Sequence, residues 1–75
     1  MESIDELINT GKTQLESGEY DNALNSFQKA MMLNENDPDL WNLKGIALRS
    51  LGRYDEAVEC FNKSLEIDPR DKNSS

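Results

Sequence analysis

The chain has 75 residues, with 8 Lys or Arg, 15 Asp or Glu, no His and one Cys, giving a formal charge of −7. That length holds one domain at most, and a single core below ~80 residues supplies little stability on its own. One Cys and no His exclude an internal disulfide and leave no metal site of the zinc type, while the negative balance lacks the Lys/Arg footprint of a nucleic-acid binder.

No stretch approaches the ~20 apolar residues of a membrane span. The start, Met1-Glu2-Ser3-Ile4-Asp5-Glu6, is acidic and has no basic, apolar leader. The expectation is a cytoplasmic protein with no membrane partner, in which a lone Cys60 stays reduced.

The first predicted helix covers about Ser3 to Glu16. Ser3 and Glu6 fit a capping box, and Ile4, Leu7, Ile8, Gly11 and Leu15 keep one face apolar or small. Gly18 ends it. The second helix runs from about Tyr20 to Leu33, with Ala23, Leu24, Phe27, Ala30 and Met31 as its stripe. The third covers about Pro38 to Leu51, with Asp37 as N-cap and Pro38 at the first position, where a missing amide proton does no harm. Its apolar positions are Leu40, Trp41, Leu43, Ala47, Leu48 and Leu51, with Gly45 among them, and Gly52 stops it. The fourth runs from about Tyr54 to Ile67 through Ala57, Val58, Phe61, Ser64 and Leu65, and Pro69 closes it. No alternating strand pattern occurs, so the fold class is all-α.

Shifting the sequence by 34 aligns it with itself. Gly11 meets Gly45, Gly18 meets Gly52, Tyr20-Asp21 meets Tyr54-Asp55, Ala23 meets Ala57, Phe27 meets Phe61, and Leu33 meets Ile67. The matches fall at turns and packing positions, as expected when each unit preserves what it needs to stack. A mid-helix Gly costs about 1 kcal/mol relative to Ala, so Gly11 and Gly45 predict close helix crossings, with Phe27 and Phe61 supplying bulk. Gly18 and Gly52 predict tight turns, and Tyr20 and Tyr54 are placed to pack back across them.

With these spacings the chain resembles two tandem tetratricopeptide repeats. The second copy has Trp41, Gly45, Leu48, Gly52, Tyr54, Ala57, Phe61 and Pro69 at the signature positions, and the first keeps Gly11, Gly18, Tyr20, Ala23, Phe27 and Ala30. Leu7 stands where the Trp belongs and Glu35 where the closing Pro belongs, while Thr10 and Lys44 replace a usual Leu. The resemblance implies one domain over 1–75, with repeats at about 4–37 and 38–71 and a polar tail at 72–75. It implies helical hairpins stacked with a right-handed twist, and a protein or peptide partner held in a concave groove lined by the first helix of each pair. The groove candidates are Asp5, Ile8, Asn9, Lys12 and Leu15, then Asp39, Asn42, Leu43, Ile46 and Arg49. A subgroup of the family grips acidic chaperone tails with a two-carboxylate clamp. Ile8 and Leu43 replace clamp residues here, so that likeness does not extend to this chain.

Other motifs take plainer readings. Gly11-Lys12-Thr13 lacks the upstream Gly and strand of a phosphate loop, and Asn34 to Asp39 lacks the Gly and Glu of a calcium loop. Asn62-Lys63-Ser64 and Asn73-Ser74-Ser75 match a glycosylation sequon, which has no use without secretion. Cys60 has no His to activate it, and the carboxylates read as a solvated face. No enzyme activity, metal or cofactor is expected. The alternative to groove binding is self-association through Val58, Phe61, Leu65 and Ile67 of the last helix, as a homodimer or by exchange of helix pairs. On that reading the chain is uncapped, or is part of a longer array.

Overall fold

The computed structural model describes residues 3–68. Four helices follow in order, α1 (Ile4–Glu16), α2 (Tyr20–Leu33), α3 (Pro38–Ser50) and α4 (Tyr54–Ile67), and no strand occurs among the described residues. Leu51 is the C-cap of α3 and not its last helical residue. Pro69 and the tail at 72–75 lie outside the described residues.

The helix starts follow from local chemistry. The Ser3 hydroxyl accepts from the Glu6 amide at 3.2 Å, and the Glu6 carboxylate accepts from the Ser3 amide at 3.1 Å. Asp37 accepts from the Asp39 amide at 3.0 Å. The starts of α2 and α4 are braced from the same two positions by different chemistry. In α2 the Asn22 amide donates to Glu19, and in α4 Arg53 forms a two-pronged pair with Glu56, both contacts at 2.8 Å.

Both hairpin turns are Schellman closures. Gly18 and Gly52 take φ of +82° and +83°, which a side chain would strain. The amides just after them, of Glu19 and Arg53, reach back to the carbonyls of Gln14 and Leu48 at 2.8 and 2.9 Å. Tyr20 is half-buried beside its turn, but Tyr54 stays largely in solvent, contrary to its expected packing.

The hairpins α1–α2 and α3–α4 are each tightly packed, and α2 against α3 joins them. The core runs through all four helices from Leu7 and Phe27 to Leu40, Leu48 and Cys60. At Gly11 and Gly45 the backbone lies directly under the rings of Phe27 and Phe61. A paired polar exchange is among the differences between the copies inside this core. Where repeat two packs Leu48 and Cys60, repeat one has Gln14 and Ser26, and the Ser26 hydroxyl donates to the Gln14 carbonyl at 2.8 Å. A satisfied hydrogen bond thus replaces an apolar contact at low cost.

Candidate functional site: a cleft between the first helices

α1 and α3 touch only lightly, and the space between them is a cleft of about 680 Å³. Asp5, Ile8, Asn9 and Lys12 line it from α1, and Asp39, Asn42 and Leu43 line it from α3. On α1 these residues fall at i, i+3, i+4 and i+7, one stripe of a helix. The capping box and the Asp37–Pro38 start fix the N-terminal ends of both walls.

Three of the ten groove candidates lie outside the cleft. Leu15 is half-buried and packs against the core. Ile46 is half-buried but is not part of the cleft lining. Arg49 places its guanidinium 5.9 Å from the centre of the Phe61 ring, on the α4 side. For Leu15 and Arg49 the cause is local, because they stand in the last turns of α1 and α3 and their carbonyls accept the closing amides of Gly18 and Gly52. Sequence reasoning missed Asp37, which lines the cleft as well as capping α3. Its place two residues before Asp39, at the mouth of the third helix, was the available signal.

The cleft combines two apolar side chains, Ile8 and Leu43, with polar groups, one of which, Asp37, also caps α3. Among the described residues, the amides of Asn9 and Asn42 and the ammonium of Lys12 make no side-chain hydrogen bond or ion pair. Asp5, Asp37 and Asp39 outnumber Lys12, so the rim is net acidic. An arrangement of this kind can seat apolar side chains, hydrogen-bond an extended backbone and attract cations. No group of three or more His, Cys, Asp or Glu side chains that could hold a metal occurs among the described residues.

Titratable groups elsewhere have structural explanations. The hydrogen bond from Arg53 holds the exposed Glu56 carboxyl below its ordinary range and raises the guanidinium in turn. Burial pushes the Cys60 thiol up, so it stays protonated and a poor nucleophile at neutral pH. No helix among the described residues is long and apolar enough to cross a membrane.

The self-association candidates also separate. Val58 and Leu65 are exposed, whereas Phe61 is partly covered, its ring lying against Gly45. Ile67 is half-buried and stands two residues, about 200° of helix, round from Leu65, so it does not share their face. A second, smaller hollow of about 280 Å³ lies along α2 and α3 beside Met31, Met32 and Trp41. Its floor is fixed by the Trp41 indole, which donates to the Glu35 carbonyl at 2.7 Å.

Comparison with known proteins agrees with this architecture. The tetratricopeptide repeat profile matches residues 38–71, and a TPR repeat profile matches residues 11–49. An uncharacterized protein of Methanocaldococcus jannaschii is 47% identical over 51 residues, which cover 68% of this chain and 59% of that protein. A TPR repeat-containing protein of the same organism is 30% identical over 69 residues, 92% of this chain and 12% of its own length. The peroxisomal targeting signal receptor of Candida glabrata is 33% identical over 51 residues, 68% of this chain and 9% of the receptor. The chain thus spans about three-fifths of the first relative and about a tenth of the other two. With four helices in two hairpins, glycines under phenylalanines at a 34-residue interval, and a profile match over more than half its length, the chain belongs to the tetratricopeptide repeat family.

Proposed function

We propose that this chain is a cytoplasmic protein-interaction module that holds an extended peptide segment of its partner in the cleft between α1 and α3. The observation that carries the reading is the cleft itself, where the stripes of two first-in-pair helices bring Ile8, Leu43, Asn9 and Asn42 around one space. The two apolar side chains seat ligand side chains, and the two amides hold its backbone. The net acidic rim favours segments carrying Lys or Arg near Asp5, Asp37 and Asp39, with Lys12 receiving a carboxylate. Similarity to a protein named as a targeting signal receptor supports the general class.

The test is a display selection of random peptides against the chain, followed by affinity measurements on the variants Asn9→Ala/Asn42→Ala and Lys12→Glu. Selected peptides enriched in basic residues, and about tenfold weaker binding to the double amide variant, are the expected results. Peptides that bind both variants and the parent equally would remove the cleft from the account.

A further inference from the structure

The junction of α2 and α3 carries its hollow on the far side of α3 from the cleft. At ~100° per residue, the cleft residues Asp39, Asn42 and Leu43 and the hollow residues Trp41 and Lys44 fall on opposite sides of that helix. From α2 come Gln28, Met31 and Met32, at i, i+3 and i+4 on one face. α2 and α3 are already packed together here, so the hollow is not a face awaiting another repeat.

The base of the hollow is apolar. Met31 and Trp41 are half-buried, and Met32 is 86% exposed, more than Leu33, Tyr54, Val58 or Leu65. The shift by 34 shows that these features belong to this junction alone. Trp41 corresponds to Leu7, which is buried, Met32 to Glu66, and Lys44 to Thr10. The bond from the Trp41 indole to the Glu35 carbonyl fixes the ring before any ligand arrives, so little freedom is lost on binding.

Two opposite charges border this base. The Lys44 ammonium lies 5.5 Å from the centre of the Trp41 ring, and Glu35 lines the hollow from the turn. Among the described residues neither side chain makes a hydrogen bond, and no ion pair within 4.0 Å joins them. A ligand that meets both charges and covers the apolar base is a zwitterion with an apolar side chain. An aromatic side chain fits best, since it can stack offset on Trp41 and set its edge against the Met31 and Met32 thioethers. The volume of about 280 Å³ falls just under the ~300–1,000 Å³ of drug-sized sites, so the ligand is small.

We infer that the hollow is a binding site for a free aromatic α-amino acid. The ligand ring lies on Trp41 against Met31 and Met32, its carboxylate pairs with Lys44, and its ammonium pairs with Glu35. The site is separate from the α1–α3 cleft and does not depend on it.

Phenylalanine is the probe, because Trp41 is the one tryptophan of the chain and reports alone. Its addition should change Trp41 fluorescence and move the Trp41 and Lys44 signals in a heteronuclear NMR titration, with a Kd of about 1 mM. Phenylalaninamide, which lacks the carboxylate, and phenylpropionate, which lacks the ammonium, should each bind at least about threefold more weakly. Lys44→Glu should weaken phenylalanine binding to a similar degree while circular dichroism stays helical. Lys44→Glu/Glu35→Lys should restore it, because both charges are present again with the ligand turned round. Asn9→Ala/Asn42→Ala, in the cleft, should bind phenylalanine like the parent. Unmoved Trp41 signals at ~10 mM phenylalanine would overturn the inference. So would equal binding of the amide and the propionate, or a Lys44→Glu chain that binds like the parent. N-acetylphenylalaninamide binding as tightly as phenylalanine would overturn it too, because the occupant would then be an aromatic side chain of a polypeptide.

Discussion

Replacing each helical glycine by alanine is a demanding test of the packing, because the two sites differ only in what surrounds the phenylalanine. At Gly11 a new Cβ would collide with Phe27 Cε1 and lie 2.8 Å from both Cδ1 and Cζ. The ring must retreat by about 1 Å to reach an ordinary carbon–carbon separation of ~3.5–4.0 Å. Phe27 is fully buried, with Ala23 and Ala30 also fully buried on the same helix, so the retreat strains the core. Overpacking of this kind costs about 1–3 kcal/mol, and the helix gains back roughly 1 kcal/mol from losing a glycine. The net for Gly11→Ala is a destabilisation of about 0–2 kcal/mol. At Gly45 the Cβ would meet Phe61 Cε1 at 2.6 Å, but Phe61 is partly exposed and can swing outward. Gly45→Ala should therefore fall near neutral, leaving Gly11→Ala the less stable by about 1 kcal/mol, the middle of that range, or roughly 4–8 °C in Tm for a domain of this size. Thermal and urea unfolding followed by circular dichroism measure the difference. The cost should also shrink in Gly11→Ala/Phe27→Leu, relative to the sum of the single changes. Equal stabilities for the two alanine variants, or a Gly11→Ala protein more stable than the parent, would refute the reasoning.

Ser26→Ala should destabilise by about 1–2 kcal/mol, because the half-buried Gln14 carbonyl loses its donor. Gln14→Leu/Ser26→Ala, which makes the pair apolar as in repeat two, should be neutral or stabilising in the same urea assay. The Cys60 thiol should react with a disulfide reagent only as fast as the chain opens, because it is buried and held protonated. Its raised pKa also has a consequence for stability. Above the ordinary thiol range the unfolded chain ionises Cys60 before the folded one does, so stability falls as pH rises there. The urea midpoint should drop more between pH 8 and 10 in the parent than in Cys60→Ala, and identical profiles would contradict the burial argument.

The hairpins were legible because their causes are local. Pro38 and Asp37 start a helix wherever they stand, and Gly18 and Gly52 permit a closure that few other residues allow. The 34-residue interval then identified Gly11 and Gly45 as crossings, and the rings of Phe27 and Phe61 do lie over them. Positions that depend on which neighbour is present were harder. Tyr20 and Tyr54 are identical in sequence and differ in burial, since α3 lies against α2 and no described helix lies against the outer face of α4. Counting along the first helices proposed Leu15 and Arg49 for the groove, but the hairpin closures commit the last turns to packing. Ile67 was grouped with Leu65 by hydrophobicity, although helical geometry sets the two on opposite sides. The Gln14–Ser26 bond was legible only in part. The shift by 34 pairs these residues with Leu48 and Cys60, but their mutual contact needs the structure.

The central claim, that the space between α1 and α3 holds a peptide segment, is tested most directly by mapping amide chemical shifts as a selected peptide is added to the chain. The largest changes are predicted at Asn9, Lys12, Asn42 and Leu43, fading towards Leu15 and Arg49, where the cleft has closed. Changes confined to α2 and α4, with those four residues unmoved at saturating peptide, would contradict it.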